Sequence, residues 1–235
     1  MTATGTTQTG FRDYHLSAAI KAARSETKTH ERQQLLMSKF ATARTAGLIN
    51  DRNSHGCTAA HTMAAWAFEK KLFEIALDND MDFNIADRRV CPPLFYLLVT
   101  EQDVETSLIS WLVKTAKAEL GIVDDKGWTA LHYATASKDP IRVKTILELC
   151  FTQRISLINA VSHAGVSALH LAVVGGAPNK SGQIVEQLLA NGADPSLPTS
   201  QGKTAFDFYQ DSEQIPALSD QFLTCLMNGG RHRAF

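Results

Sequence analysis

Four cysteines in 235 residues, at positions 57, 91, 150 and 225, are too few and too scattered to staple a small fold. No C-x-x-C pair offers a zinc knuckle either. Reduced thiols in a reducing compartment are the expectation. Charge of one sign is also lacking. Lys and Arg number 23 against 24 Asp and Glu, and the net charge of −1 gives no overall pull toward nucleic acid or acidic lipid. No apolar run approaches the roughly 18 residues that read as a membrane span. The opening MTATGTTQTG has none of the apolar stretch of a secretory signal. The expectation is a cytoplasmic or otherwise intracellular protein with neither nucleic acid nor membrane as a partner. What the chain does have is 44% hydrophobic residues, enough to build a sizeable core.

It also repeats itself. GCTAAHTMA begins at Gly56, VCPPLFYLL at Val90, GWTALHYAT at Gly127, GVSALHLAV at Gly165 and GKTAFDFYQ at Gly202, at spacings of 34, 37, 38 and 37 residues. The fifth residue after each start is His61, Phe95, His132, His170 and Asp207. A catalytic constellation is normally written once in a chain, so five near-copies mean a repeat architecture.

Each copy has its own physical grammar. Gly127 supplies the backbone freedom of a tight turn. Thr129 stands where a helix begins, its hydroxyl available to a first-turn amide. Leu131, Ala134 and Thr135 then follow at helical spacing, a thin face of small residues that lets neighbouring helices approach. A second apolar helix comes next, with Val143, Ile146 and Leu147 in this copy and Ile184, Val185, Leu188 and Leu189 in the following one. Gly192 in LLANGADPS suits a left-handed helix end. Such a unit cannot bury its own apolar face and must stack on copies of itself.

The strings DDKGWTALHYA, through Asp124, Gly127, Thr129, Leu131, His132 and Ala134, and QLLANGADPS, through Leu188, Leu189, Gly192, Ala193 and Asp194, resemble the ankyrin repeat. The resemblance covers roughly residues 50–227 and is weakest in the second copy, where Val90, Pro92 and Phe95 replace Gly, Thr and His. It implies an all-α, ankyrin-like solenoid of stacked helix-turn-helix repeats, joined by hairpin loops and closed by helical caps. Residues 1–10 and 228–235 are expected to be mobile tails, with 11–49 an N-terminal helical cap or degenerate repeat. The region 50–227 holds about five repeats, the last a C-terminal cap. Within the N-terminal region Tyr14, Ala18, Ala19, Ala22 and Ala23 form one apolar stripe and Leu35, Leu36 and Phe40 a second. The periods above the family's 33 residues place insertions near 115–121, 150–158 and 176–183, as projecting loops or longer helices.

Candidate chemistry weighs against catalysis. His61, His132 and His170 recur at one repeat position, and the resemblance implies that each holds adjacent hairpins together. Cys57 lies near His61, but no oxyanion motif or orienting acid accompanies the pair. GGAPNKSG lacks the G-x-x-x-x-G-K-[ST] spacing of a phosphate loop and is read as an inserted loop. No catalytic residue, metal or cofactor is expected, and an enzyme with a site built from the insertions is the alternative.

What remains is surface. The resemblance implies protein binding through the hairpin tips and the concave side of the first helices. Carried over residue by residue, the partner-binding candidates are Ser54, His55, Trp66, Arg88, Arg89, Thr100, Asp125, Lys126, Trp128, Ser137 and His163. Trp and Arg are over-represented among residues that dominate interface energies. Trp66 and Trp128 are read as contacts, against the alternative that Trp128 folds onto its neighbouring hairpin and Trp66 fills a gap, and Trp111 on a second helix is read as core. Charge is uneven: residues 74–125 hold eleven acidic against four basic residues, and 12–44 seven basic against three acidic. The expected function is an adaptor, inhibitor or scaffold that is monomeric in isolation, or a bacterial effector that binds a host protein.

Overall fold

The computed structural model describes residues 29–102, 104–174 and 178–211, together with positions 16, 17, 19, 20, 22, 23 and 227. The expected tails at 1–10 and 228–235, and residues 212–226 of the expected C-terminal cap, lie outside the described residues. So does most of the first N-terminal stripe. All regular structure among the described residues is helical, apart from one isolated bridge between Val161 and Ser167.

The chain forms two compact units, Met1–Ala118 and Glu119–Phe235. The first contains α1 (Thr29–Thr45), α2 (Ala59–Ala65), α3 (Lys70–Asp78), α4 (Pro93–Val99) and α5 (Thr106–Lys114). The second contains α6 (Ala130–Ala136), α7 (Pro140–Gln153), α8 (Ala168–Val173), α9 (Pro178–Ala190) and α10 (Ala205–Asp211). Short helices alternate with longer ones, so each turn of a unit is one helical pair. Helices that short do not stand alone in water and depend on burial of one face.

In the first unit α2 packs against α4, and α1 against α3. Met63, Leu72, Phe73, Phe83 and Leu94 fill the space between them. In the second unit α6 packs against both α7 and α8, while α9 packs against α7 and α8. Leu131, Ile146, Leu169, Val185 and Leu188 are buried there. The small residues Ala130, Ala134, Ala168 and Ala172 are fully buried on the first helices, which lets α6 and α8 lie close.

Four details differ from the sequence expectation. Leu36 and Phe40 of α1 are buried, but Leu35 is 38% exposed, because the buried face of α1 follows the i, i+4 spacing of Leu36 and Phe40 and Leu35 lies one position off it. Trp111 is only half-buried and sets its edge against Phe83 at 6.2 Å. Residues 178–183 are the first turns of α9, with Pro178 at its start where a missing N–H costs nothing, so that part of the expected inserted loop is helix. The insertion at 150–158 lengthens a helix, one of the two expected forms: α7 has 14 residues where α3 and α5 have nine. The segment 115–121 does not simply project, since Ala116, Ala118 and Leu120 are buried.

Part of the charge asymmetry is consumed inside the first unit. Arg32 of α1 meets Glu69 at 3.5 Å and Arg44 meets Asp80 at 2.6 Å. Arg44 is half exposed and Asp80 more so, and their pairing orients α1 with little contribution to stability.

Candidate functional site

Five hairpin turns close by the same bond. The N–H of Asn53, Asp87, Asp124, Ser162 and Thr199 donates to the carbonyl four residues on, at 2.8 to 3.0 Å. The side chain of each turn residue then accepts from a backbone N–H within the turn. Asp124 is the fullest case: Oδ1 accepts from Lys126 at 2.9 Å and Trp128 at 2.7 Å, and Oδ2 accepts from the Tyr133 hydroxyl at 2.7 Å. Asp87 repeats this with Arg89, Cys91 and Tyr96. Burial alone would raise the Asp87 carboxyl, but the Cys91 amide, the Tyr96 hydroxyl, the Arg89 amide and the Arg89 charge together hold it below the usual carboxylate range.

The histidines join these hairpins. His132 Nδ1 accepts the N–H of Thr129 at 3.2 Å and lies 2.8 Å from its hydroxyl, while Nε2 lies 2.9 Å from the Val166 carbonyl. A carbonyl can only accept, so Nε2 carries the proton and Nδ1 is the acceptor. His61 makes the same bridge from Thr58 to the Cys91 carbonyl, and His170 from Ser167 to the Lys203 carbonyl. Burial pushes all three below the ordinary imidazole pKa. Asp207 takes over the cap half of the role, its Oδ2 accepting from the Thr204 amide at 2.6 Å and hydroxyl at 2.8 Å. An ionised carboxylate has no proton to give to a further carbonyl, and the Phe95 side chain carries no hydrogen-bonding group.

Neighbouring tips are tied backbone to backbone. The Arg88 N–H donates to the His55 carbonyl at 3.1 Å, and the His163 N–H to that of Lys126 at 2.9 Å. These bonds gather the expected contact residues into two patches. Ser54, His55, Arg88 and Arg89 are exposed together on the first unit, and Asp125, Lys126 and His163 on the second. Arg89 reaches the Tyr96 hydroxyl at 3.4 Å and Asp87 at 3.7 Å, contacts that raise its pKa and keep it charged.

The remaining candidates carry structural duties as well. Thr100 ends α4 and donates its hydroxyl to the Ala65 carbonyl at 2.8 Å, beside the half-buried Trp66. Ser137 donates to Ala134 of its own helix at 2.7 Å. Trp128 lies over Tyr133 at 5.4 Å and His132 at 5.9 Å, half-buried, so one face packs on its own hairpin.

Sequence reasoning missed three features. A side-chain ladder of asparagines ties the second-helix ends. Asn50 bridges the Asp80 carbonyl and Asp82 amide, Asn84 reaches the Lys117 carbonyl, and Asn159 bridges Gly192 and Asp194. The Lys138 ammonium donates to the Leu171 and Val174 carbonyls at the end of α8. A cavity of about 340 Å³ opens beside 150–158, walled by Leu147, Cys150, Phe151, Arg154, Ile155 and Leu157. Burial pushes the Cys150 thiol up to about 11, so it stays protonated at neutral pH and is no nucleophile. Among the described residues no group of three or more His, Cys, Asp and Glu is placed to hold a metal, and no helix is long and apolar enough to cross a membrane.

Comparison with known proteins agrees with this geometry. Residues 95–199 match the family model described as ankyrin repeats, in three copies. The palmitoyltransferase AKR1 of Lachancea kluyveri is 30% identical over 157 residues, 67% of this chain. That match covers 20% of AKR1, so the chain spans about a fifth of its relative's length. The crystal structure of the ankyrin repeat protein EF0377 superposes with a TM-score of 0.67 at 20% identity, over 93% of this chain and 98% of that one. A chain from the complex of the predatory endopeptidase Bd0816 of Bdellovibrio bacteriovorus with the immunity protein Bd3460 gives a TM-score of 0.67 at 18% identity, covering 91% and 96%. At these identities the two structures speak for the fold.

Proposed function

The chain is an ankyrin repeat protein, and from that premise we propose that it is a non-enzymatic module that binds a partner protein through its hairpin tips and first helices. It serves in this reading as an adaptor, inhibitor or scaffold, with 11–49 and the repeat beginning at Gly202 as its caps. The observation that carries the proposal is the division of labour among polar residues. Those that recur from repeat to repeat are consumed by turns, caps and bridges between hairpins, whereas Ser54, His55, Arg88 and Asp125, Lys126, His163 differ between repeats and face solvent.

Non-recurring, exposed side chains held on a rigid frame are what a specific interface requires. The half-buried Trp66 and Trp128 supply aromatic anchors whose ordering is already met by the fold. Affinity capture from candidate lysates tests this, comparing wild type with the double variant Trp66→Ala, Trp128→Ala. A partner retained by wild type and lost by the variant, at unchanged helical content, supports the reading. Equal retention by both rejects these residues as the contact.

A further inference from the structure

The cavity beside 150–158 uses none of the hairpin-tip residues, and its construction differs from an ordinary gap between helices. α7 ends at Arg154, whose φ of +57° turns the chain sharply back. The Arg154 and Ile155 amides take up the Phe151 and Cys150 carbonyls at 3.2 and 3.0 Å, which closes the helix end. The chain then returns over the helix and buries Leu157. Asn159 pins this return to the turn after α9, through Gly192 and Asp194 at 3.2 and 2.8 Å.

The result is a walled space of about 340 Å³, at the small end of the range for ligand sites. It is open to solvent on one side, and its lining is mostly apolar, with Ser156 and Asn191 as polar members and the protonated Cys150 thiol as one more apolar surface. Phe151 stands at the rim, 87% exposed, an unusual position for so large an apolar side chain. The lining holds one cation, Arg154, and no carboxylate. Among the described residues the Arg154 guanidinium has no ion pair or hydrogen bond, whereas Arg32, Arg44, Arg89 and Arg142 each meet a carboxylate.

An apolar hole with a single unneutralised guanidinium at its mouth is complementary to an apolar body that ends in one negative charge. The negative pole of a helix end would oppose such a ligand. Here the Cys150 and Phe151 carbonyls are already occupied, and the full positive charge of the guanidinium outweighs the partial charge of the helix end. We propose that this cavity binds a medium-chain aliphatic carboxylate. Its tail lies against Leu147, Ile155 and Leu157, and its carboxylate meets Arg154.

Calorimetric titration of the full chain with sodium hexanoate, octanoate and decanoate, below their micelle concentrations, tests both halves of the site. Each added methylene should tighten binding about fourfold while the cavity fills. Octanoate should bind more tightly than octanol, and Arg154→Asn, a residue that tolerates the left-handed backbone, should abolish that preference while keeping the chain-length trend. Phe151→Ala, at a site too exposed to matter for folding, should weaken decanoate. Affinity independent of chain length, or a carboxylate preference that survives in Arg154→Asn, would overturn the assignment. A free-acid trileucine that binds more tightly than decanoate would overturn it too, and would give the cavity to peptide termini.

Discussion

The imidazole Nε2 of His132 donates to the backbone carbonyl of Val166, 34 residues away, at 2.9 Å. That one bond links two hairpins of the second unit, and it works only because Nδ1 is unprotonated and receives the Thr129 amide. The ring is an adaptor between a helix start and the next turn. Replacing it leaves the buried Thr129 amide without its acceptor and takes one of two donors from the Val166 carbonyl, which keeps the Ser162 N–H. His132→Ala should therefore cost about 2–3 kcal/mol in urea unfolding. A loss below roughly 0.5 kcal/mol would mean that water replaces the ring.

Acidity should act on the same bond. Burial lowers the pKa of His61, His132 and His170, so each binds a proton more readily in the unfolded chain. A depressed imidazole contributes stability that is complete above its unfolded pKa near 6.5 and is lost as pH falls through the lower folded value. The urea midpoint should decline between pH 7.5 and 5.5, above the range where ordinary carboxylates titrate, and decline less in His132→Ala. A flat midpoint over that interval would refute the neutral, bridging role.

Two glycines with similar backbone angles should differ sharply. Gly127 has φ +78°, and a Cβ there would sit 2.9 Å from the His163 amide nitrogen. Gly47 has φ +69° with nothing within 4 Å of that position. Gly47→Ala should cost only the left-handed strain, about 1–2 kcal/mol. Gly127→Ala adds a collision with backbone that cannot swing away, and it should also part the His163–Lys126 bond. Hydrogen exchange at the His163 amide would report this, and equal effects of the two substitutions would contradict the close approach.

Much of the scaffold was legible because its signals are local. The Gly, the Thr or Ser and the His of the first, third and fourth repeats lie within six residues, and a period near 37 shows through the substitutions in the other two. The Asp124–Tyr133 and Asp87–Tyr96 pairs escaped because comparison across copies dilutes them. The same offset of nine residues from the turn holds Thr62, Leu171 and Phe208 in the other repeats. Insertions were located by arithmetic, but their conformation was not. Whether extra residues lengthen a helix, as in α7, or turn back, as at 155–158, depends on where Leu157 finds a partner. Nothing in the sequence announced a cavity, which is a property of what the chain leaves unfilled.

Lys138 poses a contest of two effects. Its φ of +56° is strained for a residue with a Cβ, yet its ammonium satisfies the Leu171 and Val174 carbonyls at the negative end of α8. Asn tolerates the left-handed backbone but is too short to reach those carbonyls. Hydrogen bonds to charged groups are worth about 1.5–3 kcal/mol, which exceeds the relief of strain at one residue. Lys138→Asn should thus destabilise by about 1–2 kcal/mol, and faster amide exchange should appear first in α8. A neutral or stabilising outcome would mean that solvent serves those carbonyls equally well.

Thr135 offers the opposite test, a change that should help. It is fully buried on α6, and its hydroxyl has no hydrogen-bond partner among the described residues. An unmet buried hydroxyl costs about 1–3 kcal/mol by mutational measures, and valine has nearly the same shape and helix preference without it. Thr145 on α7 is almost as buried, but its hydroxyl donates to the Ile141 carbonyl at 2.8 Å. Thr135→Val should raise the melting temperature by about 2–4 °C, the response of a chain this size to roughly 1 kcal/mol. Thr145→Val, which breaks a bond as it removes a polar group, should leave it unchanged or lower it. The contrast between the two is the measurement, since burial is shared and only satisfaction of the hydroxyl differs. Equal shifts would indicate that burial alone governs both sites, with an unseen partner for Thr135.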